Sequence, residues 1–184
     1  MIGLKRGTVM LLPHDPEWER LAEITAAELE EVLGSAALDI QHVGSTSIKT
    51  ICAKPILDIG IAVKRFKDIL PLLPKLEEHG FIRRNYDNVG EIFLSKGDDA
   101  ADTRTHHIHI VLHDSQQWRD YIFFRDYMNF HRDAAAEYER LKRRLMDEYK
   151  DDRLRYTDGK AEFIEKILNL REDRKDDKAC EIIP

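Results

Sequence analysis

The first clear periodicity in the chain is helical. Behind Asp15 and Pro16, core-type positions recur at Trp18, Leu21, Thr25, Leu29 and Val32 before Gly34. That spacing predicts a helix capped by Asp15, opened by Pro16 and stopped at the glycine. The pattern then shortens. Residues 38–43 read as a strand running into Gly44-Ser45-Thr46-Ser47, and residues 56–63 as a second strand behind Pro55. A helix is expected within residues 68–79, ended by Gly80, with Pro71 and Pro74 blurring its start. Residues 81–85, 91–96 and 105–113 read as three further strands, the last two joined as a hairpin by the loop 97–104. Three helices close the chain: 116–130 capped by Ser115, 134–149 capped by Asp133, and 158–170 capped by Thr157. Strands early, helices late and one helix between strands predict an α+β fold, a mixed β-sheet backed by helices.

Neighbouring side chains of a strand point to opposite faces, so parity sorts the strands further. In 56–63, one face carries Leu57, Ile59, Ile61 and Val63, and the other Ile56, Asp58, Gly60 and Ala62. In 105–113, His106, Ile108, Ile110 and Leu112 alternate with Thr105, His107, His109, Val111 and His113. Each strand thus has an apolar face and a face that is small or titratable. With matched faces in one sheet, Asp58, His107 and His109 converge, and Gly60 and Ala62 leave room beside them. A merely solvated face would carry Lys, Glu, Thr and Arg instead.

Composition narrows the class. The chain has 184 residues, 42% hydrophobic and 35% charged, which fits one globular domain over 1–170. The charged stretch 171–184 reads as a disordered tail. A net charge of −6 argues against general nucleic-acid binding or attachment to an anionic membrane. No apolar run reaches membrane-spanning length, and residues 1–12 lack the pattern of a signal peptide. Cys52 and Cys180 have no partner motif and read as free thiols, which together point to the cytoplasm.

The chemistry concentrates in residues 42–63. Gly44 permits a tight turn, Ser45, Thr46 and Ser47 offer hydroxyls and N–H groups to a phosphate, and Lys54 adds a cation. Gly44-Ser45 followed by Asp58 in an apolar strand resembles the polymerase-β-type nucleotidyltransferase pattern. More narrowly, HVGSTSI and AKPILDIGIAV, then RTHHIHIVL at 104–112, FRDYM at 124–128, AAEYERLK at 135–142 and YTDGKAEFI at 156–164 are similar to the GrpB branch of that superfamily. The resemblance implies a Gly-Ser turn holding phosphates and strand carboxylates holding divalent metal. This chain departs from it at Gly60, where the superfamily places a second acid. Glu91 is a candidate for the third carboxylate, provided its strand lies alongside.

The expected site is therefore Asp58, His107 and His109 as catalytic and metal-binding residues, with Gly44, Ser45, Thr46, Ser47, Lys54 and Arg104 on phosphate. The cofactor is a divalent metal (Mn, Zn or Mg), imidazole favouring the transition metals. The histidines could equally hydrogen-bond a phosphate without metal. Arg125, Lys142 and Lys160 lie in family-like motifs and lean the same way; Trp18, Trp118, Phe124, Tyr138 and Tyr156 read as core. A histidine-triad hydrolase is excluded because Val111 stands where the third histidine belongs, and Cys52 reads as a buried thiol. The reading is a nucleotidyltransferase-like protein binding a nucleotide or coenzyme phosphate. The alternative is a non-catalytic module reporting the bound molecule to a partner, in keeping with the fusion of family members to dephospho-coenzyme A kinase.

Overall fold

The computed structural model describes residues 1–84 and 90–171. In chain order the elements are β1 (Leu4–Lys5), α1 (Glu17–Leu33), β2 (Ala37–Val43), β3 (Leu57–Val63), α2 (Leu73–Glu78), β4 (Ile82–Arg83), β5 (Glu91–Lys96), β6 (Thr103–Arg104), β7 (His106–Leu112), α3 (Gln116–Phe130), α4 (Arg132–Glu148), α5 (Arg153–Asp158) and α6 (Ala161–Leu168).

A five-stranded mixed sheet runs β2-β3-β7-β5-β4. Only β3 and β7 are parallel, with Asp58 beside His107 and Gly60 beside His109; β5 and β7 form the expected antiparallel hairpin. The apolar parity of β3 and β7 packs against α1 and α2, where Trp18, Leu29, Leu57, Ile59, Ile61, Leu76, Ile108 and Ile110 are fully buried. The opposite face is not solvated. Trp118 of α3 packs onto Ala62 and Val111. The C-terminal helices then close over the loop after β2, joining Ile48 and Ile51 to Met128, Tyr138 and Phe163. This second layer converts a sheet face into a cavity wall.

Several local expectations need correction. Asp15 accepts from the Glu17 N–H at 3.0 Å, and Ser115 caps α3 through the Trp118 N–H at 3.2 Å. By contrast, α4 begins at Arg132 without a side-chain cap, so Asp133 lies inside its first turn. The last predicted helix, 158–170, is shorter than expected, and a six-residue helix that the pattern does not predict precedes it. Asp152 caps α5 through Arg155 N–H, Thr157 lies inside α5, and α6 starts only at Ala161. Gly159 marks the break, because a Cβ there would stand 2.5 Å from Leu145 Cδ2 and force the helices apart. The short pair of β1 with β6 had no periodic signal, since two residues cannot display one. Arg171, read as tail, is buried with Nη1 2.6 Å from Asp120 Oδ1. Asn85, Cys180 and the remaining tail lie outside the described residues.

Candidate functional site

The Gly-Ser turn is shaped by one close approach. Gly44 has φ +69° and ψ −167°, and a Cβ on it would lie 2.4 Å from Asp58 Oδ2. Only glycine lets the chain leave β2 this tightly against the carboxylate. The following residues divide. Ser45 faces the cavity. Thr46 and Ser47 do not line it: Thr46 Oγ1 meets His42 Nε2 at 2.9 Å, and Ser47 Oγ donates to Gly44 O at 2.6 Å. They build the turn instead.

The cavity between this turn, the sheet and α4 to α6 measures about 370 Å³. Gly44, Ser45, Lys54, Asp58, His107 and His109 all line it, as do Lys142, Arg153 and Lys160. Arg104 does not. It is buried in a smaller neighbouring recess, where Nη1 donates to Thr103 O at 2.8 Å and lies 2.9 Å from Asp99 Oδ1. Arg125 is also elsewhere, donating to Gln41 Oε1 and His42 O. Arg153 was missed because it sits in no recognisable motif; only the break between α4 and α5 turns it inward.

Four cations thus face a cavity whose lining holds one carboxylate, Asp58. Among the described residues none of the four forms an ion pair. Lys142 is 1% exposed, donates to Cys52 O and lies over the Tyr138 ring. Lys54 and Lys160 stand 5.3 and 4.9 Å from the centre of the Tyr156 ring. Burial, reinforced by Lys160 and Arg153, pushes Lys54 down to about 7. Burial and Lys160 bring Lys142 to about 7 as well, and burial lowers Lys160.

The sheet wall has the opposite character. His107 Nδ1 lies 3.1 Å and His109 Nε2 3.4 Å from the same Asp58 oxygen, Oδ1. Burial alone would raise Asp58, but the two imidazoles hold its carboxyl well below the usual range. Burial lowers His107 against the pull of Asp58. Burial also opposes the charge on His109, yet hydrogen bonds to Asp58 and Glu91 overcome it and hold the ring at about 9. His106, on the other face, contacts Thr25 and Thr105 and is pushed down to about 4 by burial.

The missing second acid has a physical counterpart. A Cβ at Gly60 would sit 3.1 Å from Trp118 Cζ3 and 3.5 Å from Val43 Cγ1, so the indole occupies that space. Glu91 is alongside, but it meets His109 Nδ1 rather than lining the cavity. For a metal, the donor chemistry fits: one carboxylate oxygen and two imidazole nitrogens at 3.1 and 3.4 Å span edges of a coordination shell with bonds of roughly 2.1 Å. The donors now bond one another, and among the described residues no three His, Cys, Asp or Glu side chains form a ready-made cage. An ion would have to replace the bridging protons.

No described helix is long and apolar enough to cross a membrane. A solved structure of GrpB from Enterococcus faecalis superposes with a TM-score of 0.80 at 29% identity, covering 88% of this chain and 96% of that one. Cid1 in complex with its short product ApU matches at a TM-score of 0.51 and 11% identity, covering 73% of this chain and 42% of Cid1, which extends the likeness to the nucleotidyltransferase fold. In sequence, the chain is 37% identical over 172 residues to the glutamate-rich protein GrpB of Alkalihalophilus pseudofirmus, covering 92% of this chain and 99% of the relative. It is 28% identical over 166 residues to a dephospho-CoA kinase of Mycolicibacterium paratuberculosis, covering 76% of this chain and 40% of the kinase. The GrpB protein family model spans residues 8–170, taking in the Gly-Ser turn, the Asp58 strand, the histidine strand and the lysine-bearing helices together, and the chain belongs to the GrpB family.

Proposed function

We propose that the chain binds the phosphate groups of a nucleotide or coenzyme in the cavity between the Gly-Ser turn and α4 to α6. The observation that carries this reading is the facing of Lys54, Lys142, Arg153 and Lys160 into a cavity with a single lining carboxylate. Gathering like charges around a partly buried cavity without counter-ions is unfavourable, and an anionic occupant offsets that penalty. Phosphate oxygens would sit between these cations and the Gly44-Ser45 backbone. Asp58, with His107 and His109, would hold a divalent cation or position a phosphoryl oxygen. A bound cation supplies charge neutralisation on a phosphoryl group; transfer on such a site would rest on positioning and electrostatics. The likeness to a dephospho-CoA kinase puts coenzyme A and its precursors among the compounds to try.

The crowding of Gly60 by Trp118, with Glu91 turned onto His109, favours a second reading in which nucleotide is bound and not transferred. It leaves Asp58 as the cavity's one carboxylate, a poor set for the two-ion clamp. Calorimetric titration with ATP, ADP, coenzyme A and pyrophosphate tests binding. Lys142→Met should weaken it at least tenfold, and no heat with any of the four compounds defeats the proposal. Turnover separates the readings: Asp58→Ala should abolish transfer while retaining binding in the enzyme, whereas a parent protein inert toward a broad panel of acceptors is the module.

A further inference from the structure

His109 is held from both sides. Its Nδ1 lies 2.5 Å from Glu91 Oε1, and its Nε2 faces Asp58 Oδ1 at 3.4 Å. Glu91 opens β5 opposite Val111, one place along the same sheet face from the pairing of Phe93 with His109. Its side chain is 2% exposed. The second carboxylate oxygen accepts from Gln117 Nε2 at 3.2 Å, and that amide also donates to the Tyr121 hydroxyl at 3.0 Å. The Phe93 ring packs 5.2 Å from His109 and 5.3 Å from His107. Glu91 is therefore fixed behind the imidazole and is not offered to the cavity. An imidazole whose Nδ1–H is held by a carboxylate presents its other nitrogen as a fixed, strengthened ligand.

We propose that Glu91 is the positioning residue of the candidate metal centre, holding His109 so that Nε2 and Asp58 Oδ1 share one nitrogen-seeking divalent cation of the Zn²⁺ or Co²⁺ class in preference to Mg²⁺. The inference rests on reading Asp58, His107 and His109 as ion ligands. It reassigns the carboxylate of β5, since Glu91 acts through His109 and touches neither ion nor phosphate. Gly60 supports the same assignment, because the space for a second carboxylate on β3 is filled by Trp118, which removes one of the oxygen ligands that Mg²⁺ prefers.

The test uses Co²⁺ and Mg²⁺ alone, titrated into the full chain and into Glu91→Gln, with the Co²⁺ ligand-field spectrum recorded alongside. Co²⁺ affinity should fall about 10- to 100-fold in Glu91→Gln. Weak Mg²⁺ binding should stay within twofold, because it draws on Asp58 and water. Equal losses for both ions would mean general damage, and an unchanged Co²⁺ affinity would mean Glu91 has no role; either overturns the proposal. Should Glu91→Gln not fold, two-bond ¹H–¹⁵N spectra of the Zn²⁺-loaded parent decide. A proton on His109 Nδ1 with none on Nε2 is expected, and the opposite tautomer overturns the assignment. Pyrophosphate titration in EDTA keeps the two proposals apart. Phosphate binding without Co²⁺ binding defeats this inference alone, and loss of phosphate binding defeats the functional reading.

Discussion

Gly44→Ala is the sharpest test of how the turn is built. At φ +69° and ψ −167° the residue occupies a region that is essentially restricted to glycine, and forcing an L side chain into it costs on the order of 1–3 kcal/mol. The new methyl would also lie 2.4 Å from Asp58 Oδ2, 2.8 Å from its Cβ and 2.9 Å from its Cγ. Carbon–oxygen contact normally begins beyond 3 Å, so either the Asp58 carboxylate swings away or the turn lifts. Both break the contacts of Asp58 Oδ1 with His107 and His109. Backbone strain and the lost contacts together predict a loss of roughly 2–4 kcal/mol. For a chain of this size that is a fall in Tm of roughly 4–16 °C. The assay is urea and thermal unfolding followed by circular dichroism, with pyrophosphate titration on the folded fraction. Gly34→Ala is the control: its φ is +51° but a Cβ there meets nothing within 4 Å, so it carries the torsional part alone, on the order of 1–3 kcal/mol. If Gly44→Ala is no worse than Gly34→Ala and still binds pyrophosphate, the turn is not shaped by Asp58 and the reasoning is wrong.

Other expectations follow from the same geometry. Lys54 and Lys142 are held near 7 when buried, against 10.5 for free lysine, so an anion that favours their charged forms must draw in protons. Pyrophosphate affinity should therefore drop as pH rises from 6 to 9, and calorimetry near pH 7 in buffers of different ionisation heat should show proton uptake; a flat profile counts against the cluster. The sign for the empty protein is opposite: because the fold disfavours protonated lysine, its stability rises with pH between about 7 and 10.5. Lys142→Met removes a buried cation at similar volume but leaves Cys52 O without that donor, so the stability of the empty protein should change by no more than about 1 kcal/mol while anion binding weakens. A variant that binds normally would remove Lys142 from the site. Gly60→Asp should destabilise by roughly 1–3 kcal/mol by pressing on Trp118, and in urea unfolding the same substitution should cost less in a Trp118→Ala background than in the parent; an equal cost with and without the indole would refute the crowding argument.

Periodicity alone determined a good deal of this protein. The alternation in residues 56–63 and 105–113 set which side chains face the core, because parity is a local property of an extended chain. It put Asp58 on one face of its strand, and His107 and His109 together on one face of theirs. The composition of the Gly-Ser segment marked a turn, and the positions of Asp15 and Ser115 marked helix starts, again from forces acting within a few residues. The parallel pairing of β3 with β7 was not legible, yet it alone sets Asp58 against His107 in register. The direction of Glu91, turned onto His109, depends on where β5 lands. The split at Gly159 depends on Leu145 packing from another helix, and it sets Lys160, at the start of α6, in the cavity wall. Whether a lysine is a solvated surface charge or a buried, half-neutral one is decided by what covers it. The chain encodes a charge locally, but the dielectric around that charge comes from residues far away in sequence.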